Sequence, residues 1–233
     1  MATAIVAASA AISACAGSST VSYSLPERGE SLQKIAILPV VIAVSPEDPA
    51  SCMDVCSPER DRAEMVLAVN SYLSDQLGYD TLCLDFACRR IPGSPFSDEQ
   101  LKAWSKEIAA WSSDHDGAPQ LPPKLEDIGK EIGGAFDADG IVLLHGEIRY
   151  VQNADLAHWA ATLTFSMYFN LMRGNTAKIG AEIYSVADGR KLWASDNTIL
   201  NVGTNNSMEP IKSSKDRYGE TIFGELPHSI AAK

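Results

Sequence analysis

Lys34-Ile-Ala-Ile-Leu-Pro-Val-Val41 is the first apolar run after a polar lead-in. Its aliphatic and β-branched residues predict a strand buried on both faces. Pro39 has no N–H to give to a ladder, so regular pairing is expected to end there or to lie at an edge. The strand is then expected to run out into the loop 45–58, which carries Cys52 and Cys56.

Downstream of this strand the pattern turns helical. Ser57 suits an N-cap and Pro58 the first helical position. The stem of Arg62, with Val66, Val69, Leu73 and Leu77, forms an apolar stripe, predicting a helix over 59–77. Gly78 is a natural stop, and 79–86 reads as a second strand, so the domain opens with a βαβ unit. Residues 89–123 read as an insertion. It holds a Pro- and Gly-rich turn and a short helix capped by Ser97 with Gln100 at the capping-box position. Leu101, Trp104, Ile108 and Trp111 share one face of that helix. Asp114-His115-Asp116-Gly117 reads as a solvated turn rather than a metal site, because adjacent loop residues rarely converge on one ion.

A second long helix is expected over 124–136, with Leu125, Ile128, Ile132 and Phe136 as its stripe. Gly133-Gly134 within it is read as an aid to close packing, since the pattern of a nucleotide site is missing. A strand over 141–148 follows. Alternation over 162–169 predicts a half-exposed strand with Leu163, Phe165, Met167 and Phe169 on one face. Strand 177–186, the turn Asp188-Gly189 and Lys191-Leu-Trp-Ala194 form an antiparallel hairpin signal. The chain from Asp196 to Asn206 is polar, and Tyr218, Ile222 and Leu226 fit a final helix. The expected class is α/β (α+β): a mixed sheet with a βαβ start, two main helices packed on it and a C-terminal antiparallel hairpin.

The 233 residues suffice for one sizeable domain. A net charge of −11 argues against nucleic acid, whose phosphates need clustered Lys and Arg, and against a polybasic membrane patch. No cofactor signature is present. Residues 1–14 are almost wholly Ala, Ile, Val and Ser, and are expected to be a signal peptide. Ile12-Ser-Ala-Cys15 resembles the bacterial lipobox, an aliphatic residue and two small ones before Cys. That resemblance implies cleavage before Cys15, a diacylglyceryl group on its thiol and acylation of the new N-terminus. Ala16 in place of Asp is compatible with the outer membrane, periplasmic face. No Lys or Arg precedes the apolar stretch, which leaves the start codon open. Residues 15–33 then read as lipidated Cys and flexible tether, and 34–230 as a single α/β domain with the insertion at about 89–123. Acyl chains contributing ~0.8 kcal/mol per buried methylene would hold such a chain on the membrane.

Export changes how the other four cysteines read. Cys52 and Cys56 form one close pair, Cys83 and Cys88 another. An oxidising compartment favours disulfides over free buried thiols or a tetrathiolate zinc site, and spacing leaves the connectivity open. One connectivity would pin the Cys52/Cys56 loop to the strand end near Cys83.

Together, Lys34-Ile-Ala-Ile-Leu-Pro-Val, Ala138-Asp-Gly-Ile-Val-Leu-Leu-His-Gly-Glu-Ile148 and Tyr184-Ser-Val-Ala-Asp-Gly-Arg-Lys-Leu-Trp193 resemble bacterial envelope lipoproteins with a TolB-N-terminal-like α/β domain, the CsgG and LpoB types among them. The resemblance spans about residues 34 to 230, and its motifs are motifs of fold. It implies a domain without chemistry of its own that binds other envelope proteins or assembles with copies of itself.

Residue chemistry points the same way. His145 and Glu147 fall on one face of a strand and could form an acid–base pair, but a structural histidine beside an edge carboxylate is the weightier reading. No Gly-x-Ser-x-Gly elbow, phosphate loop or His-Glu-x-x-His occurs. The expectation is a non-enzymatic binding or assembly module of the envelope. A subunit of an oligomeric secretion channel and a periplasmic hydrolase are the alternatives.

Overall fold

The computed structural model describes residues 22–23, 32–45, 58–113, 118–150, 176–200 and 214–229. Cys15, Cys52, Cys56, the turn 114–117 and the strand expected over 162–169 lie outside the described residues. Among the described residues, seven strands and four α-helices build a mixed α+β fold. The strands are β1 (Ser22–Tyr23), β2 (Lys34–Ile37), β3 (Val41–Ser45), β4 (Asp80–Cys83), β5 (Gly140–Arg149), β6 (Thr176–Ser185) and β7 (Lys191–Leu200). The helices are α1 (Pro58–Ser71), α2 (Asp98–Ser113), α3 (Pro123–Phe136) and α4 (Ser214–Phe223).

The sheet runs β1-β7-β6-β5-β2-β4, and β3 also pairs with β5. β2 and β4 are parallel, as the βαβ reading requires, and β2 is parallel to β5 as well. β5, β6 and β7 are antiparallel neighbours, forming the expected hairpin. Its turn contains Gly189 at φ 67°, a left-handed conformation that glycine adopts without a Cβ penalty.

The opening strand is buried on both sides. Ile35 and Ile37 face one core with Met65, Val66 and Val69 of α1 and Ile222 and Phe223 of α4. Ala36 and Leu38 face a second core with Trp104 and Ile108 of α2 and Leu125, Ile128 and Ile132 of α3. Helices therefore cover both faces of the sheet, and successive residues of the strand alternate between the two layers. α2 carries the expected capping box: the Gln100 N–H donates to Ser97 Oγ, and the Ser97 N–H donates to Gln100 Oε1.

In four places the structure adds to or corrects the sequence reading. Regular pairing of β2 ends at Ile37, ahead of Pro39 as expected, but Val41–Ser45 then resumes parallel pairing with β5. The gap is bridged by the Asp85 carboxylate, which accepts the Val40 N–H at 2.8 Å. Helix 59–77 divides into α1 and a π-helical turn over Tyr72–Gln76. The polar stretch from Asp196 also remains in the sheet, as β7 reaches Leu200. Ser22–Tyr23, within the expected tether, pairs with Ala194 and Trp193 of β7.

Candidate functional site

Two groupings of chemistry-bearing side chains stand out. The first lies on the α2 side of the sheet. His145 and Glu147 share a face of β5, as their spacing implies; His145 is half-buried and Glu147 exposed. The indole of Trp111 meets the His145 ring edge-on at 5.3 Å, and the Tyr184 ring at 6.4 Å. A Cβ on Gly180 would lie 2.5 Å from His145 Cε1 and 3.0 Å from Asp196 Oδ1, so the imidazole and that carboxylate border one small space. Only glycine leaves room for the ring there.

Beside it, Glu182 is buried with two partners. Lys191 Nζ donates to its Oε1 at 2.9 Å, and the Tyr184 hydroxyl donates to its Oε2. The Lys191 ammonium also lies 5.6 Å from the centre of the Tyr184 ring. Burial, and secondarily the adjacent Glu182 carboxylate, pushes the Tyr184 phenol far above its ordinary range. A carboxylate held by an ammonium and a phenol is compensated inside the fold, and is a poor base toward an incoming molecule. Nearby serines are engaged elsewhere: Ser195 Oγ donates to the Ile222 carbonyl, and the Ser185 side chain bonds Asp188.

The sequence pattern had set His145 against Glu147. In the structure its ring meets Trp111, from the helix 98–113, and it shares the space over Gly180 with Asp196, two strands away. The hairpin register could have placed Asp196 beside Gly180, had β7 been extended beyond Ala194.

The second grouping is the loop after β4. Cys83 and Cys88 are joined as a disulfide, with Cα atoms 6.0 Å apart. The bridge closes within one close pair and does not run to the loop 45–58. Between the two cysteines, the fully buried Asp85 side chain is a hub. Its Oδ2 accepts the Val40 N–H at 2.8 Å and Arg62 Nη1 at 2.7 Å, and its Oδ1 accepts the Ala87 N–H at 2.8 Å. Arg62, expected to contribute only its stem to an apolar stripe, thus supplies a charge partner. Next to the hub, Phe86 is 45% exposed.

Among the described residues, no group of three or more His, Cys, Asp or Glu side chains is arranged to hold a metal ion. Among the described residues, no helix is long and apolar enough to cross a membrane.

No protein-family model matches the chain. No curated protein matches it either. Among solved structures it is similar to the PelC dodecamer from Paraburkholderia phytofirmans, with TM-score 0.36 and 12% identity over 90% of this chain and 96% of that one. It is similar to lipoprotein GNA1162 from Neisseria meningitidis, with TM-score 0.35 and 12% identity over 75% and 88%. The C-terminal domain of LpoB from Salmonella enterica gives TM-score 0.31 and 9% identity over 74% and 86%.

Proposed function

We propose that this chain is a lipid-anchored, non-enzymatic module of the bacterial cell envelope that binds or assembles with other envelope proteins. The observation that carries the reading is the lipobox-like Ile12-Ser-Ala-Cys15 ahead of a compact α+β domain. Cleavage before Cys15, its acylation and a periplasmic position on the outer membrane are parts of the same proposal, as is the division into signal peptide, tether and domain. The Cys83–Cys88 disulfide supports it, since such bonds persist in oxidising compartments. The internal pairing of Glu182 with Lys191 and Tyr184 supports a domain built for shape rather than acid–base work.

Crosslinking in the intact envelope followed by mass spectrometry tests the binding role. Reproducible crosslinks from the domain to one or a few envelope proteins, or to second copies of the chain, are expected. A chain recovered without crosslinks in the envelope, but turning over an ester or peptide substrate in a His145-dependent way, would overturn it.

A further inference from the structure

The fold closes the outer edge of its opening stretch only part of the way. β4 pairs along β2 from Lys34 to Ile37, and the Leu84 N–H still donates to the Ile37 carbonyl at 2.8 Å. Beyond Pro39, side chains stand in for a strand. Asp85 Oδ2 accepts the Val40 N–H at 2.8 Å, and Arg62 Nη1 reaches the Val40 carbonyl at 3.5 Å. Further on, among the described residues, β3 pairs with β5 alone.

Which groups face outward follows from that ladder. In a parallel pair both backbone groups of one residue turn to the same neighbour, and the direction alternates along the strand. The Tyr150 N–H donates to the Ser45 carbonyl at 2.8 Å, so Ser45, Ala43 and Val41 face β5. The N–H and carbonyl of Ile42 and of Val44 point away from it, and no described residue pairs with them. The strand does not guard this edge. Val41-Ile-Ala-Val-Ser45 carries no charge and no proline, and its central Ala43 is exposed. Proteins blunt such edges with Lys, Pro or a bulge, because the unpaired groups otherwise recruit another strand.

The exposed groups are complementary to themselves. Two copies set antiparallel about a two-fold axis at Ala43 bring Ile42 opposite the partner's Val44, and the two residues exchange both N–H···O bonds. All four outward groups of each copy are then satisfied. Ala43 meets its own counterpart at the closely spaced position, Cα atoms about 4.5 Å apart, where a small side chain fits. Ile42 and Val44, partly buried against the α1-side core, carry that apolar layer across the junction. A net charge of −11 opposes self-association in general, and an uncharged strand is where two copies meet at least cost.

We propose that the outer edge of β3 pairs with the same edge of a second copy of this chain, joining the two sheets into one. The proposal deepens the assembly reading above and rests on it for the anchor. A strand of five residues is well short of the roughly 20–30 residues a side of a stable interface, so the pairing is weak between free domains. Lipid anchors that hold copies on one surface raise their effective concentration and strengthen it.

Disulfide trapping tests this on the lipidated chain in phosphatidylcholine vesicles, with Cys52 and Cys56 replaced by Ser and copper phenanthroline as oxidant. Ala43→Cys sets two thiols at a separation that a disulfide spans, so a covalent dimer should form about tenfold faster than from Leu67→Cys, an exposed site on α1. Val41→Cys and Ser45→Cys chains, opposite each other in this register, should trap when mixed and not singly. Adding Val44→Pro, which removes an outward N–H and no bond to β5, should slow the Ala43→Cys dimer about fivefold. The mixed pair keeps the test decisive if the proline variant misfolds. Equal rates for Ala43→Cys and Leu67→Cys, self-trapping of Val41→Cys as fast as the mixture, or trapping of Ala43→Cys onto a different protein in the intact envelope would overturn the proposal. None of these outcomes touches acylation at Cys15 or crosslinks to other envelope proteins, so the two readings fail separately.

Discussion

The Asp139 carboxylate accepts the backbone N–H of Lys34 at 2.8 Å, and the Asp139 N–H returns a bond to the Lys34 carbonyl at 2.8 Å. The same carboxylate oxygen accepts the Gln33 N–H at 3.0 Å. One residue at the start of β5 thereby fixes where β2 begins. Asp139→Ala should lower stability by about 1–2 kcal/mol, the range for lost bonds to a charged acceptor that water can partly replace. Asp139→Asn, which keeps one acceptor oxygen, should cost less. Urea midpoints of the three proteins check the order.

Asp85→Ala should be more damaging, because the site is buried. It removes the partner of Arg62 and orphans the Val40 and Ala87 N–H groups. Breaking a buried ion pair costs about 3 kcal/mol or more. Equilibrium urea unfolding reads this directly, and a change below 1 kcal/mol would show that the hub does not hold the β2–β3 joint.

Two adjacent glycines of α3 should respond in opposite directions. A Cβ at Gly133 would come within 2.4 Å of Val186 Cγ1, while one at Gly134 meets nothing within 4 Å. Gly134→Ala should stabilise by about 0.5–1 kcal/mol through helix propensity. Gly133→Ala should destabilise. Thermal melts of the two single variants separate these outcomes.

Asp61, in the first turn of α1, is buried and accepts the Tyr150 hydroxyl at 2.6 Å. Burial pushes the Asp61 carboxyl above its ordinary value, the Tyr150 bond pulling partly the other way. A raised folded-state value means that the native chain binds more protons than the unfolded one. This contribution to stability is complete below the unfolded value near 4 and is lost as pH rises through the folded one. Asp61→Asn should therefore gain on the wild type as the pH rises above about 4. Tyr150→Phe should steepen the wild-type fall over the same window. Urea midpoints at several pH values test both signs.

Reducing the Cys83–Cys88 disulfide should lower stability by about 2 kcal/mol, the chain-entropy value for so short a loop. Unfolding with and without a reductant measures it.

Much of the fold was legible because local rules and tertiary packing agree. The Ser97–Gln100 box, the stripe of α3 and the turn at Asp188-Gly189 are local signals, and each stands where its chemistry placed it. Pro39 marks where β2 ends, but that pairing resumes beyond it depends on a residue far along the chain. A missing N–H ends a strand unless some other group holds the next one, and Asp85 does so for Val40. Arg62 was likewise placed by helical period, which says which face a residue occupies and not what waits opposite. The surroundings of His145 were hidden for a similar reason. Strand alternation finds Glu147 on the same face, but the ring that meets His145 comes from Trp111, brought near by helix docking, and Asp196 is brought to the same Gly180 by hairpin register.

The intact mass of the chain purified from the membrane fraction tests export and lipid anchoring most directly. A chain beginning at Cys15 and carrying a diacylglyceryl group is expected, with Cys15→Ser leaving the membrane fraction. An unmodified chain that retains residues 1–14 would contradict it.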